Sequence, residues 1–183
     1  LYIRPQKFYS DYEINLILNT RVSGINISEK VVYYGNQSSK YDHLAFATGS
    51  TPRKLSKEIT RGLKNIFYIR SIDDVNHMAS LFAKGKKALI IGGGYIGLEA
   101  AAVCRKLEVD VTLIEMSDRI LNRVSSLETA DYFRKVHQDN GVRILENTIL
   151  KSFVGDKEVT GAILQDGSKV SIDMVIVGIG ILP

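Results

Sequence analysis

One stretch limits the fold of this chain more than any other: Ala88-Leu89-Ile90-Ile91-Gly92-Gly93-Gly94-Tyr95-Ile96-Gly97-Leu98-Glu99-Ala100. Four apolar residues in a row fit a strand buried on both faces, and the alanine-rich run after Gly97 fits a helix. The glycines therefore fall at a strand-to-helix turn. The same alternation continues downstream, with a strand expected over 87–91, a helix over 95–107, a strand over 109–115, a helix over 127–139 and a strand over 142–145. Elements of these lengths in this order predict an α/β, Rossmann-like parallel sheet with right-handed crossovers. Residues 148–154, 159–165 and 169–172 then read as an antiparallel β excursion, with Asp166-Gly167 as a hairpin turn. The chain returns to a buried strand over 174–177.

Punctuation supports these bounds. Ser71 is placed to cap a helix beginning at Ile72, with Asp73 and Asp74 in its first turn, where carboxylates suit the dipole. Val75, Met78, Ala79 and Phe82 give that helix an apolar face, and Gly85 is expected to end it. Ser125, with Glu128 three residues later, reads as a capping box, and Gly141 as a stop. Residues 1–66 are β-rich instead, with short strands expected over 14–18, 21–27 and 30–34. Residues 42–48 read as a buried strand running into the turn Gly49-Ser50-Thr51-Pro52. Two domains are expected, 1–66 and 67–183.

The glycines and one carboxylate carry the chemistry. Gly92, Gly94 and Gly97 form a G-x-G-x-x-G between strand and helix, and Glu115 follows at the end of the next strand. Gly92 allows a tight turn, and Gly94 leaves room for a pyrophosphate to reach the N–H groups at the helix start. Gly97 lets the helix pack against the sheet. Gly93, Tyr95 and Ile96 complete the loop. Glu115 is expected to accept hydrogen bonds from the adenosine ribose hydroxyls of NAD(H). A 2′-phosphate there would face a carboxylate, and like charges ~4 Å apart repel by about 1 kcal/mol in water and about 4 at an effective dielectric near 20. Arg119 lies four residues on and would have to overcome Glu115. NAD(H) is expected over NADP(H).

Composition excludes other classes. Hydrophobic residues make up 45% and charged residues 24%, ordinary for a globular protein, and the net charge of +4 is too small to argue for a nucleic-acid partner. Apolar runs are strand-sized, far below the ~20 residues of a membrane span. One cysteine, Cys104, rules out an internal disulfide and fits a reducing cytoplasm. His43, His77 and His137 stand apart from any other metal ligand, so no metal is expected. The chain opens at Leu1 and closes at Pro183 directly after a buried strand, as a segment of a longer protein would.

Spacing alone reaches an NAD-binding α/β domain and stops there, since fold does not fix chemistry. A non-catalytic nucleotide-binding module and a flavin-free dehydrogenase both remain open, although no catalytic His, Lys or Tyr stands out for the second.

Three motifs in order carry a family resemblance: Tyr41-Asp42-His43-Leu44-Ala45-Phe46-Ala47-Thr48-Gly49-Ser50-Thr51-Pro52-Arg53, the Gly92–Glu99 loop, and Asp173-Met174-Val175-Ile176-Val177-Gly178-Ile179-Gly180-Ile181-Leu182-Pro183. Together they resemble the FAD-dependent pyridine nucleotide-disulfide oxidoreductases. The stretch from Glu115 to Gly141, with Arg119-Ile120-Leu121 and Tyr132-Phe133-Arg134-Lys135-Val136-His137, is most similar to the NADH-dependent ferredoxin and rubredoxin reductases. The opening Leu1-Tyr2-Ile3-Arg4-Pro5 with Phe8-Tyr9 also resembles that subgroup.

The resemblance implies electron flow from NADH through FAD to a small iron–sulfur or iron protein. It implies that Tyr95 gates the flavin face and that Glu99 hydrogen-bonds the nicotinamide carboxamide, which makes these two the catalytic candidates. Ala47, Thr48, Gly49 and Arg53 would meet the FAD, and Ile179 and Gly180 would lie beside the nicotinamide. The family's earlier FAD pyrophosphate loop is absent from this sequence, so residues 1–66 represent a partial FAD domain. The isolated segment is expected not to turn over. Disulfide reductases and NADH oxidases of the same superfamily are the alternatives. Cys104, inside the alanine-rich helix, is expected to be a packing residue rather than a redox centre.

Overall fold

The structure, a computed structural model, describes residues 4–183, so Leu1, Tyr2 and Ile3 of the resembling opening lie outside the described residues. Contacts divide the chain between Thr48 and Gly49 into two compact units.

In the first unit a short helix α1 (Gln6–Asp11) starts at Pro5 and is followed by an antiparallel sheet. Its strands are β1 (Val22–Asn26), β2 (Val31–Tyr34) and β3 (Gln37–Lys40). Two of these match the strands expected over 21–27 and 30–34. The third has no apolar pattern; it forms because Gly35, at φ +53°, lets the chain fold back on β2. Two expected strands are missing. Residues 14–18 and 42–48 are irregular, and among the described residues nothing pairs with either. A strand holds its conformation through a neighbour's ladder, and without one Ile14, Leu18, Leu44 and Phe46 are exposed.

In the second unit the chain runs through β4 (Thr51–Pro52), α2 (Lys57–Thr60), β5 (Ile66–Tyr68) and α3 (Ile72–Met78). Next come β6 (Lys87–Ile91), α4 (Tyr95–Lys106), β7 (Asp110–Ile114), α5 (Leu127–Asp139) and β8 (Val142–Leu145). The antiparallel excursion is β9 (Leu150–Gly155), β10 (Val159–Leu164) and β11 (Lys169–Ser171). β12 (Met174–Val177) and β13 (Ile181–Leu182) close the chain. Five strands form one parallel sheet in the order β5-β12-β6-β7-β8. This is the expected α/β, Rossmann-like sheet with its antiparallel excursion.

Alternation within β6 builds two cores. Ala88 and Ile90 pack with Leu98, Ala101, Cys104, Val111, Leu113 and Ala130 under α4 and α5. Leu89 and Ile91 point the other way, into a cluster with Ile114, Phe153, Val159, Ala162, Leu164 and Val175 under the antiparallel sheet. A strand covered on both faces must be apolar at every position, which explains the uninterrupted run. His137 ties the two helices together, its Nε2 lying 3.1 Å from the Leu98 carbonyl oxygen.

Helix ends follow the expected chemistry with two shifts. Ser71 and Asp74 cap α3 reciprocally, but the helix gives way to a 3₁₀ turn over Ala79–Leu81, and Gly85 lies beyond it at φ +78°. The cap of α5 is Ser126, which accepts from the Thr129 N–H, rather than Ser125. The Ser125 amide and hydroxyl instead donate to the Leu121 carbonyl, so the cap falls one residue later than the box predicts, directly before the helix expected over 127–139.

Candidate dinucleotide-binding site

From β6 the chain builds outward to β7 and β8, then returns to lay β12 on the opposite side of β6. The carboxyl ends of β6 and β12 therefore flank the point where strand order reverses, the place where open α/β sheets bind ligands. Gly92 leaves β6 at φ +106°. A Cβ there would lie 2.4 Å from the Gly178 carbonyl oxygen, and a Cβ on Gly97 would lie 1.9 Å from the Gly92 oxygen. Both glycines are required for the backbone segments to touch. Gly94 differs. Its φ is −83°, and an added Cβ would meet nothing within 4 Å. The space beside it is open, as a cradle for another molecule requires.

Gly93 has a task that the motif did not reveal. An added Cβ would strike the Ile120 side chain at 2.6 Å, and the Gly93 N–H donates to Glu115 Oε2 at 2.6 Å. Glu115 Oε1 accepts from the Ser117 N–H at 2.8 Å. Each carboxylate oxygen thus uses one acceptor site on the backbone and keeps another for a hydroxyl.

Among the α-helices of the second unit, the start of α4 stands apart electrostatically. Ser56, Ser71 and Ser126 cap α2, α3 and α5, whereas α4 begins at Gly94 with no side-chain cap and no acidic residue in its first turn. Its leading N–H groups and the positive end of its dipole lack a protein anion to serve, a condition that favours a bound pyrophosphate. Arg119, four residues beyond Glu115, is held by backbone carbonyls. Its guanidinium donates to the carbonyls of Ser125, Ser126 and Asn122 at 3.2, 3.4 and 3.3 Å.

The remaining expected residues fall into two groups. Tyr95 and Ile96 open α4 with exposed side chains, and Glu99, also exposed, lies one turn beyond Tyr95 on the same helix face. Ile179 and Gly180 follow β12 after the single residue Gly178. The Gly178 N–H donates to the Ile91 carbonyl at 2.8 Å, so this segment borders the Gly92 turn. Arg53 is drawn to the same end. β4 pairs with β13, the Arg53 N–H donates to Gly180 O at 2.9 Å, and its Nε donates to Ile181 O at 3.2 Å. Gly49 turns at φ +76° beside Arg70, whose Nε holds the Ser50 carbonyl at 2.8 Å. Ala47 and Thr48 lie in the first unit, exposed and in irregular backbone.

Cys104 is fully buried in α4, and burial pushes its thiol up to about 11. A neutral thiol packed against the sheet is a poor nucleophile. Among the described residues no group of His, Cys, Asp and Glu is arranged to hold a metal.

The residues present fit the adenosine diphosphate portion of NAD(H): open space at Gly94, unpaired helix N–H groups and spare acceptors on Glu115. For FAD, the described residues supply no second glycine turn between strand and helix.

The model of the pyridine nucleotide-disulphide oxidoreductase family matches residues 6–183. A ferredoxin–NAD(P)(+) reductase from Sphingomonas sp. is 36% identical, over 99% of this chain and 44% of its own length. Monodehydroascorbate reductase 4 of Arabidopsis thaliana, a peroxisomal protein, is 33% identical over 97% of this chain and 38% of its own. The crystal structure of the ferredoxin reductase for the CYP199A2 system of Rhodopseudomonas palustris superposes with a TM-score of 0.87 at 31% identity, covering 100% of this chain and 45% of that one. The chain thus spans less than half the length of these relatives. With the family model matched from α1 to the last residue, this chain belongs to the pyridine nucleotide-disulphide oxidoreductases.

Proposed function

We propose that this chain is the NADH-binding part, with an adjoining piece of the FAD-binding part, of a flavoprotein reductase that passes electrons to a small iron–sulfur or iron carrier protein. The observation that carries the nucleotide assignment is the Gly93–Glu115 hydrogen bond beside the uncapped start of α4. It sets a carboxylate against the residue just before the start of α4, which supports reading the carboxylate as the partner of a ribose diol and the helix start as that of a pyrophosphate.

In this reading the leading N–H groups of α4 bind the pyrophosphate and Gly94 admits it. Glu115 accepts the ribose hydroxyls and disfavours a 2′-phosphate, while Arg119, engaged on backbone carbonyls, does not neutralise that preference. Tyr95 gates the flavin face and Glu99 hydrogen-bonds the nicotinamide carboxamide, and Ile179 and Gly180 border the nicotinamide. Ala47, Thr48, Gly49 and Arg53 serve the FAD. FAD, when bound, supplies the chemistry that converts a two-electron hydride into single electrons.

Residues 1–66 are assigned to the FAD part and 67–183 to the NAD(H) part. Residues 49–66 share a compact unit with the dinucleotide fold, which suits a segment reaching between the two cofactors. The names of the ferredoxin-reducing relatives support the protein acceptor. A small organic acceptor is the second reading, favoured by the monodehydroascorbate reductase relative. The buried Cys104 does not serve a disulfide reductase, and a lone unpaired cysteine supports a reducing, cytoplasmic setting. Among the described residues no helix is long and apolar enough to cross a membrane.

The test is Glu115→Arg in the full-length enzyme. The kcat/KM ratio of NADH to NADPH is expected to fall by tenfold or more, roughly the effect of ~1.4 kcal/mol of discrimination. An unchanged ratio rejects the role given to Glu115.

A further inference from the structure

Beyond the glycine loop, one polar cluster is built against it and has no part in the function described so far. Glu146 follows β8, and its Oε1 accepts three hydrogen bonds: from the Ile120 N–H at 2.8 Å, from Arg134 Nε at 3.1 Å and from Arg134 Nη2 at 2.9 Å. Arg134 also pairs with Asp131 across one turn of α5. The Glu146 and Arg134 side chains are only 19% and 24% exposed, so this pair is partly withdrawn from water and stronger than a surface contact.

What the pair holds is the segment between β7 and α5. Ile120 is fully buried, with its side chain in the space that a Cβ on Gly93 would need. Leu121 is buried and lies in the left-handed region at φ +53°, a conformation that costs free energy for any residue with a side chain. Its N–H donates to the Gly93 carbonyl at 2.9 Å. Gly93 is thus gripped twice, by Leu121 at its oxygen and by Glu115 at its nitrogen. Such a strained turn persists only where surrounding contacts enforce it, and Glu146 supplies the contact at the residue just before Leu121. The carbonyls that hold Arg119 belong to this segment too.

We propose that Glu146, acting through Arg134 and the Ile120 N–H, is a positioning residue that sets dinucleotide selectivity: it holds residues 117–126 so that Glu115 stays on Gly93 and Arg119 stays on Asn122, Ser125 and Ser126. The inference rests on reading Glu115 as the ribose-binding carboxylate. Without the brace, Leu121 relaxes from its left-handed turn and the carbonyls around Arg119 shift. The freed guanidinium, four residues from Glu115, then becomes available to a 2′-phosphate.

The experiment measures dissociation constants for NADH and NADPH by fluorescence titration of full-length protein whose flavin has first been reduced with dithionite, so that no hydride is transferred, with circular dichroism to establish folding. For Glu146→Ala, NADH binding is expected to weaken and the preference for NADH over NADPH to shrink by about tenfold, one charge-assisted contact being worth about that much. Adding Arg119→Ala to Glu146→Ala is expected to restore most of the preference without restoring the affinity. Glu146→Gln, which keeps an acceptor for Ile120, is expected to fall between wild type and Glu146→Ala, and it carries the test if the alanine variant does not fold. A loss of stability alone would lower both affinities together and leave their ratio, so a folded variant with the wild-type ratio overturns the proposal. Wild type without a preference for NADH overturns the reading of Glu115 instead.

Discussion

Residues 44–48 and 88–91 are written in similar letters, Leu-Ala-Phe-Ala-Thr and Ala-Leu-Ile-Ile, yet they end in opposite surroundings. The second is β6, hydrogen-bonded to β7 and β12 and buried on both faces. The first pairs with nothing among the described residues, and Phe46 stands 69% exposed. Apolar, β-prone residues confer only a capacity to form a strand. A ladder partner and a covered face turn that capacity into structure. The same contrast recurs on a smaller scale within the glycine loop, where Gly97 is pressed against backbone and Gly94 faces open space.

Breaking the built region is expected to cost most. Ile90→Ala removes a fully buried side chain from the core under α4 and should lower the unfolding free energy by about 2–5 kcal/mol. Phe46→Ala, although it deletes a larger side chain, should stay within about 0.5 kcal/mol. Urea denaturation of this 183-residue chain compares the two directly, and equal losses would erase the distinction between the regions.

The two glycines sharpen the contrast next. In Gly97→Ala the new methyl meets a carbonyl oxygen of the backbone, which cannot rotate away, so about 1–3 kcal/mol or more of stability should be lost. In Gly94→Ala the melting behaviour should stay within about 0.5 kcal/mol of wild type, while NADH affinity falls about tenfold or more as the methyl enters the pyrophosphate space. Stability loss in both, with binding untouched in Gly94→Ala, would make Gly94 a packing residue like its neighbour.

Local rules carried the reading wherever a residue's task depends on its own stretch of chain. The β6 turn, α4 and the position of Glu115 just past a strand end were legible because periodicity, glycine geometry and strand length all act within a few tens of residues. Features set by distant partners were not. The polar β3 exists only through β2, and β4 and β13 exist only through each other, 128 residues apart at the Arg53–Ile181 contact. Gly93 looked like filler between two motif glycines, because the side chain that excludes a Cβ there belongs to Ile120. Glu146 carried no signal at all, since its three donors come from a loop and a helix that precede it. The shift of the α5 cap from Ser125 to Ser126 turned on one carbonyl, that of Leu121, which no capping rule contains.

The most direct measurement is a calorimetric titration of the protein with NADH, run beside the Gly94→Ala and Glu115→Arg variants. If Gly94 and Glu115 hold an adenine dinucleotide at the start of α4, wild type shows saturable one-site binding and both variants weaken it at least about tenfold. Absence of heat at saturating NADH, or equal binding by all three proteins, would contradict the account.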